Sequence, residues 1–464
     1  MNVTNQSITI LGAGLAGSLL AVLLARRGMQ VHLIDRQADP RQREQPSGRS
    51  INLAMASRGI HALRCAALAG QLDTLKCPMP GRMMHDRDGS LTFQKYGSRD
   101  DDINYSVSRA ALNHRLLDAA ERHGARVTFE QRCDGYDPHT NTLHMCDARD
   151  ANATYALRVT RLIAADGAGS PVRRGMADLD DFQMTEQLLE HTYQEVAIPP
   201  TSCGDYALDP EALHIWPRGG YMLIALPNPG KDFTATLFMA ERTDAGAPSF
   251  ELWQSRSDAL QFFESEFPDV PELVNDLDAQ LADNPRGVMG TVRCNRWHHR
   301  DQCLLIGDAA HAIVPFHGQG MNAGFEDCAA LDAMIDRYPD WSSLFAAFSE
   351  TRVPDANAIA TMALENYVEM RDTVRDPSFH LKKALAFAVE TAAPDIFVPR
   401  YSMVMFHDGI RYSEAQRRGK IQSELLSQWT SGCHSLRDIN VGHCVAEARD
   451  ALGALPEQHF FATL

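Results

Sequence analysis

Residues 7–35 restrict the fold more than any other part of this chain. A short β-branched run at 7–11 (SITIL) leads directly into the glycine pattern GAGLAG at 12–17. The apolar segment after it, SLLAVLLARRG, predicts a helix, and 31–35 (VHLID) predicts a second strand that ends in an acid. Strand, glycine turn, helix, strand and acid in this order form the fingerprint of a nucleotide-binding βαβ unit. The fingerprint predicts a parallel sheet with a helix N-terminus directed at phosphates.

Each glycine of this fingerprint, and the acid that ends it, has its own expected role. Gly12 allows the tight turn, Gly14 lets a pyrophosphate approach the backbone, and Gly17 lets the helix pack closely on the strand. Asp35 can accept a hydrogen bond from a ribose hydroxyl. NAD and FAD both use this fingerprint, so the remainder of the chain has to decide between them.

Length and charge restrict the class of protein. A chain of 464 residues is too long for one compact core, so about two or three domains are expected. The formal net charge of −16 argues against nucleic acid or an anionic membrane as the main partner, because both require a basic surface. No uninterrupted apolar stretch of about 18 residues occurs, and no basic leader precedes the first apolar run. We therefore expect a soluble cytoplasmic protein.

The ten cysteines are scattered, without a CxxC pair or a histidine at zinc spacing. In an intracellular protein this pattern predicts free thiols, most of them packed as small apolar side chains. No metal site is expected.

Two later segments each end an apolar run in an acid–glycine or glycine–acid pair. Residues 162–166 (LIAAD) are followed by Gly167, and 304–308 (LLIGD) open a loop that carries Pro315 and several glycines before a predicted helix. Taken singly, each is a common exit from a strand. The second loop is unusually apolar around Pro315, which indicates that something lies against it.

In this order and spacing, the three motifs resemble those of the single-component FAD-dependent aromatic hydroxylases. The resemblance implies bound FAD, with Asp308 on the ribityl chain and Asp166 near the pyrophosphate and the path of NADPH. In that family NADPH binds transiently in a groove, which agrees with the absence of a second GxGxxG here. The flavin ring would rest against 315–322 (PFHGQGMN). Further FAD-binding residues are implied at Leu15, Arg36, Ala54, Arg109, Gly318, Gly320, Met321 and Asn322.

The implied architecture is a Rossmann-like FAD-binding domain with an inserted mixed-sheet substrate domain and a C-terminal helical region. The FAD-binding domain is expected to be discontinuous and the inserted domain to alternate strands around Gly220. The expected bounds are 1–75, 100–175 and 294–350 for the FAD-binding domain, 76–99 and 176–293 for the substrate domain, and 351–464 for the helical region.

Longer strings narrow the resemblance to the branch of the family that hydroxylates L-kynurenine. They lie at 48–64, 213–228, 234–240, 315–322, 363–370 and 399–406. By this resemblance, Arg82, Tyr96, Asn366 and Tyr401 bind the amino-acid end of the substrate. Phe238, Pro315, Phe316 and Met370 enclose its ring.

The residues alone allow simpler interpretations of the same positions. Asn366 and Met370 are four apart and share one helix face, which more often packs in a core than binds a ligand. Arg82 alone would be a solvated surface residue, and Tyr401 a buried tyrosine with a satisfied hydroxyl.

The implied reaction uses NADPH to reduce FAD, O₂ to form a C4a-hydroperoxyflavin, and transfer of its distal oxygen to the ring. The aniline amino group of kynurenine already enriches the neighbouring ring carbon in electrons. No catalytic side chain is therefore predicted, and His317 is given no acid–base role; the cofactor carries the chemistry.

Two alternatives stay open. The chain could hydroxylate another aromatic acid such as salicylate, or hold a flavin as a redox sensor without turnover. A homodimer is compatible with either activity, and the oligomeric state stays undecided.

Overall fold

The computed structural model describes residues 4–42, 52–243, 246–372 and 377–456. Residues 48–51 of the string at 48–64 therefore lie outside the described residues. The strands of the described chain are β1 (Ser7–Leu11), β2 (Gln30–Ile34), β3 (Asn52–Met55), β4 (Lys76–Met79), β5 (Gly81–His85), β6 (Leu91–Lys95), β7 (Asn104–Ser108), β8 (Arg126–Thr128), β9 (Gln131–Asp137), β10 (Thr142–Asp147), β11 (Asp150–Arg158), β12 (Leu162–Ala164), β13 (Met184–Ile198), β14 (Ala212–Pro217), β15 (Met222–Pro227), β16 (Phe233–Ala240), β17 (Gly287–Cys294), β18 (His298–His299) and β19 (Cys303–Leu305).

The helices of the same residues are α1 (Leu15–Arg26), α2 (Ser57–Cys65), α3 (Arg109–Arg122), α4 (Pro171–Met176), α5 (Arg256–Glu266), α6 (Leu277–Asp283), α7 (Asp308–His311), α8 (Gly320–Met334), α9 (Trp341–Asp372), α10 (Pro377–Ala392), α11 (Arg400–Phe406), α12 (Tyr412–Trp429) and α13 (Val441–Leu452). In the part of the chain that the structure describes, no helix combines the length and the apolar character that crossing a membrane requires.

The first sheet has the order β18-β19-β12-β1-β2-β8. All its pairs are parallel except β18 with β19. Ile10, Leu33 and Ile163 are fully buried, as expected for parallel strands covered on both faces. The four strands β1, β2, β12 and β19 end at one edge of this sheet, where ligands of such folds bind.

Two glycines fix the geometry at that edge. Gly12 has φ +102°, and a Cβ on it would lie 2.3 Å from the Ala165 carbonyl oxygen. A Cβ on Gly17 would lie 1.9 Å from the Gly12 carbonyl oxygen. The tight turn and the close helix–strand packing expected at these positions are therefore present, and neither position accommodates a side chain.

The second large sheet has the order β17-β13-β16-β15-β14-β5-β6 and is mixed, since β14 and β5 are parallel. Its two faces bury different residues. Leu237 packs in the core formed with α5 and α6, whereas its neighbour Phe238 packs on the opposite side with Phe316 and Met370. This alternation is the period-two pattern of a strand, and it makes the sheet one wall of a cavity.

The predicted fold class is confirmed: a Rossmann-like sheet, an inserted mixed sheet and C-terminal helices. Two elements lie at predicted domain bounds. Residues 76–79 form β4, which pairs with β7 in a small sheet and not with the seven-stranded sheet. Helix α9 begins at Trp341, before the expected start of the helical region at 351, and it continues through Pro354. The division into domains stays a prediction.

Candidate active site

A cavity of about 1000 Å³ lies between the strand ends of the first sheet and the inner face of the second. It runs from the GAGLAG turn at one end to Arg82 and Tyr401 at the other. The residues predicted from sequence that line it are Gly12, Gly14, Leu15, Asp35, Arg36, Ala54, Arg82, Tyr96, Arg109, Asp166, Phe238, Asp308, Pro315, Phe316, Gly318, Gly320, Met321, Met370 and Tyr401. Gly17, Asn322 and Asn366 are not part of this lining.

The turn before α1 presents an open backbone to the cavity. Gly14 is the N-cap of α1, and no side chain caps the first turn of this helix. A Cβ on Gly14 would meet no protein atom within 4 Å. The free N–H groups and the positive end of the helix dipole therefore face space that a phosphate group can fill.

Asp35 lies at the end of β2 and is held in place by two backbone amides. Its Oδ2 accepts from the Ala13 N–H at 2.7 Å, and its Oδ1 accepts from the Gln37 N–H at 2.7 Å. Each carboxylate oxygen keeps a lone pair for a ligand hydroxyl. The acid that ends the fingerprint is thus fixed in orientation at the cavity wall.

Asp166 follows β12, and both its carboxylate oxygens are buried without a hydrogen-bond partner. Burial raises the pKa of this carboxyl to about 6. Buried polar groups in proteins are normally paired, so these oxygens are available to a ligand that supplies a hydrogen-bond donor. Exposed Asp308 lines the same part of the cavity, at the start of α7.

The segment at 315–320 forms one tight turn followed by the start of α8. The Gly318 N–H donates to the Pro315 carbonyl at 2.8 Å, and Gly318 has φ +64°, a conformation that favours glycine. Gln319 is the N-cap of α8, and no side chain caps this helix start. The apolar loop therefore turns backbone donors toward the cavity.

Asn322 was expected to contact the cofactor, and the structure places it behind the wall. It is fully buried. Its Nδ2 donates to the Ala54 and Gly318 carbonyls at 2.8 and 2.7 Å, and its Oδ1 accepts from the Ala56 N–H at 2.9 Å. Its amide is used to hold β3 against the turn, so Asn322 positions Ala54 and Gly318.

The C-terminal helices fix the same turn from the other side. The Tyr412 hydroxyl donates to Gln319 Oε1 at 2.7 Å, and Gln319 Nε2 lies 2.9 Å from Met405 Sδ. Gln319 is fully buried. Sequence reasoning missed the role of Gln319 and Tyr412, because only the fold brings α12 beside a turn ninety-three positions earlier.

Arg82 lies at the opposite end of the cavity and is 8% exposed. Its Cζ lies 4.9 Å from the centre of the Tyr401 ring and 5.3 Å from that of Tyr96, and its Nε has no hydrogen-bond partner. The interpretation of Arg82 as a solvated surface residue is therefore wrong. A buried guanidinium with an unused donor is suited to a carboxylate.

Asn366 was expected to bind the amino-acid end of the substrate, and the structure places it behind Phe316. Its Nδ2 donates to the Phe316 carbonyl at 2.6 Å and lies 3.3 Å from Met370 Sδ. Asn366 is 3% exposed. It shares a helix face with Met370, as the spacing predicts, and its amide holds the Phe316 carbonyl without lining the cavity. Its contact with the substrate stays a prediction.

Apolar side chains surround the space next to Arg82. Phe238 and Phe316 have their ring centres 5.0 Å apart in an edge arrangement, and Phe316 stacks on Tyr367 at 4.0 Å. Sequence reasoning missed several further lining residues of the second sheet, although all of them lie in the strings at 213–228 and 234–240: Leu213, Met222, Ile224 and Thr236. This pocket is suited to an aromatic ring with an anionic end.

His317 lines the cavity but is a weak proton acceptor. It is 5% exposed and stacks on Tyr401 with ring centres 5.3 Å apart. Burial lowers its pKa to about 3, so the imidazole is neutral at physiological pH. The absence of an acid–base role for His317 stays a prediction.

Comparison with known proteins decides the family. A family model described as "FAD binding domain" matches residues 5–337. The kynurenine 3-monooxygenases of Xanthomonas axonopodis pv. citri and Xanthomonas oryzae pv. oryzae are each 46% identical over 438 residues, covering 94% of this chain and 95% of theirs. The chain belongs to the kynurenine 3-monooxygenase family.

Solved structures show the same fold at low sequence identity. The tetrameric form of 2-methyl-3-hydroxypyridine-5-carboxylic acid oxygenase superposes with a TM-score of 0.64 at 17% identity, covering 80% of this chain and 94% of that one. A variant of Klebsiella pneumoniae HpxO complexed with FAD superposes with a TM-score of 0.62 at 18% identity, covering 82% of this chain and 93% of that one. Since this chain contains an FAD-binding domain, FAD is its cofactor, and the open Gly14 backbone and the unpaired Asp166 carboxylate fit it.

Replacing Asp166 with asparagine is expected to stabilise the FAD-free protein above pH 6. Burial raises the carboxyl pKa from 3.8 to about 6, so ionisation costs stability; the cost is absent below pH 3.8 and complete above about 6. The free energy of unfolding should rise by about 1–3 kcal/mol at pH 7.5, and the increase should shrink toward zero at pH 4. Urea denaturation of the apoprotein at both pH values measures it. Exposed Asp178→Asn should show no such gain, and a gain independent of pH would contradict this cause.

Proposed function

We propose that this chain hydroxylates L-kynurenine to 3-hydroxykynurenine, consuming NADPH and O₂. The observation that carries the proposal is one cavity with a dinucleotide-binding turn at one end and, at the other, buried Arg82 with an unpaired Nε, beside an apolar wall. The curated relatives bear the matching activity in their name. L-kynurenine has an apolar ring that matches the apolar wall and a carboxylate that matches Arg82.

At the cofactor end of the cavity, the lining residues would contact FAD. The α1 N-terminus at Gly14 and Leu15 would hold the pyrophosphate, Asp35 a ribose hydroxyl, and Asp308 the ribityl chain. The turn at 318–321 would support the flavin ring with backbone N–H groups. Arg36, Ala54, Arg109 and Asp166 complete the set, with Asp166 beside the path of NADPH.

At the substrate end, Arg82 would bind the carboxylate, with Tyr96 and Tyr401 flanking it. Phe238, Pro315, Phe316 and Met370 would enclose the ring and exclude water. Bound FAD, reduced by NADPH and reacting with O₂, supplies the electrophilic oxygen. The aniline nitrogen donates electron density to its ortho carbon, so this chain needs no side chain to deprotonate the substrate. Neutral His317 fits that requirement.

We place the reaction in the cytoplasm, without nucleic acid or membrane as a partner, since the net charge of −16 disfavours both. A homodimer is compatible with the activity.

The test is NADPH consumption by the purified FAD-loaded protein with and without L-kynurenine, together with the mass of the product. Strong stimulation and a product heavier by one oxygen atom are expected. Stimulation without that product would make kynurenine an effector that uncouples NADPH oxidation, and would direct the search to other aromatic acids such as salicylate. FAD binding without any stimulated turnover would favour a redox sensor.

A further inference from the structure

Asn104 is a buried polar residue at the substrate end of the cavity that no sequence motif indicated. It is the first residue of β7, where it pairs with Met79 of β4, and it is 1% exposed. It lines the same cavity as Arg82 and Tyr401. The strand position fixes its backbone, so its side chain meets the cavity in a defined direction.

The two polar atoms of this side chain are in different situations. Asn104 Nδ2 donates to the Tyr401 hydroxyl oxygen at 3.4 Å, whereas Asn104 Oδ1 is buried and has no hydrogen-bond partner. A buried acceptor without a donor destabilises the protein unless a ligand or water supplies one. The unpaired Oδ1 therefore indicates that a bound ligand supplies the hydrogen-bond donor.

Arg82 and Asn104 meet at the same tyrosine. The Arg82 guanidinium lies 4.9 Å from the centre of the Tyr401 ring, and the Asn104 amide contacts the Tyr401 hydroxyl. Because Asn104 donates to the Tyr401 oxygen, the hydroxyl proton is available to donate elsewhere. This corner of the cavity thus offers a cation, a hydroxyl donor and a neutral acceptor. An α-amino acid presents the complementary groups, a carboxylate and an ammonium on one carbon.

We propose that Asn104 is a substrate-positioning residue whose Oδ1 accepts a hydrogen bond from the α-ammonium group of the substrate, while Arg82 and Tyr401 hold its carboxylate. The assignment rests on the proposed function and extends it: it makes the site specific for a zwitterionic amino acid over the corresponding simple acid. A competing acceptor is Glu369 on α9, whose charge acts on Arg82 but which is not part of the cavity lining.

The experiment compares two ligands in the FAD-loaded protein. L-kynurenine is titrated against its desamino analogue, 4-(2-aminophenyl)-4-oxobutanoate, and Kd is read from the change in flavin absorbance. Asn104→Leu has a similar volume and no acceptor. We expect Kd for L-kynurenine to rise roughly 10- to 100-fold, as for loss of a hydrogen bond to a charged group. Kd for the desamino analogue should change by less than about twofold, since it lacks the ammonium donor.

A second variant keeps the test decisive if Asn104→Leu loses FAD. Asn104→Asp retains an acceptor and should preserve or increase the preference for L-kynurenine over the analogue. Glu369→Gln should leave that preference unchanged. Equal weakening of both ligands in Asn104→Leu, or loss of the preference only in Glu369→Gln, would overturn the assignment. Wild-type protein that binds neither ligand would instead refute the proposed function itself.

Discussion

Arg82→Ala is expected to raise KM for L-kynurenine by roughly 30-fold or more while FAD stays bound. Removing one partner of a buried, hydrogen-bonded charge pair costs about 2–5 kcal/mol, and each 1.4 kcal/mol is a factor of ten. Arg82 is 8% exposed and its Nε is unpaired, so an incoming carboxylate meets no competing partner at that atom. The dinucleotide-binding turn is at the other end of the cavity and should be unaffected. Steady-state kinetics and the flavin-to-protein absorbance ratio measure the two effects.

Two further variants separate charge from geometry. Arg82→Lys keeps the charge but loses the planar pair of donors, so KM should fall between the wild-type and alanine values. Arg87→Ala is the matched control: Arg87 lies in the turn between β5 and β6, its side chain is 50% exposed, and it pairs with Glu266 at 2.5 Å. Its removal should change KM by about twofold at most, as for an ordinary surface substitution. An Arg82→Ala enzyme with wild-type KM would exclude Arg82 from the substrate site.

The parts of the fold that sequence predicted well are those set by local rules. The GAGLAG turn requires glycine at 12 and 17 for steric reasons that act within one βαβ unit, and the structure shows both contacts. The acid at Asp35 ends a strand, so its place at the sheet edge follows from the strand direction. These features need no knowledge of distant residues.

Sequence says least about side chains whose surroundings come from far along the chain. Arg82 by itself resembles any surface arginine; it is buried because Tyr401 packs over it. Asn366 and Met370 share a helix face, but spacing cannot say which of the two reaches the cavity. The Phe316 carbonyl accepts a hydrogen bond from the Asn366 amide. Of the two residues, Met370 lines the cavity and Asn366 does not. Asn104 lies in no motif, and only the cavity shows its unpaired oxygen.

Gly14→Val is expected to weaken FAD binding in a protein that still folds. Gly14 has φ −70° and ψ −173°, a conformation that valine adopts, and a Cβ there meets no protein atom within 4 Å. The loss of stability should stay within about 1 kcal/mol, as for a change of N-cap residue. The new side chain would occupy the space assigned to the pyrophosphate. Overpacking of about 1–3 kcal/mol corresponds to a roughly 5- to 150-fold rise in Kd for FAD. Isothermal titration of the apoprotein with FAD measures it.

Gly17→Val is the matched comparison. A valine side chain at this nearby glycine would clash with the protein itself, whereas at Gly14 it would enter the space proposed for the ligand. Its Cβ would lie 1.9 Å from the Gly12 carbonyl oxygen, between α1 and β1. The backbone must move, so the free energy of unfolding should fall by about 3 kcal/mol or more. Circular dichroism and urea denaturation of the two apoproteins distinguish the cases. If Gly14→Val unfolds like Gly17→Val, Gly14 is a folding position; if it binds FAD normally, the pyrophosphate does not lie at the α1 N-terminus.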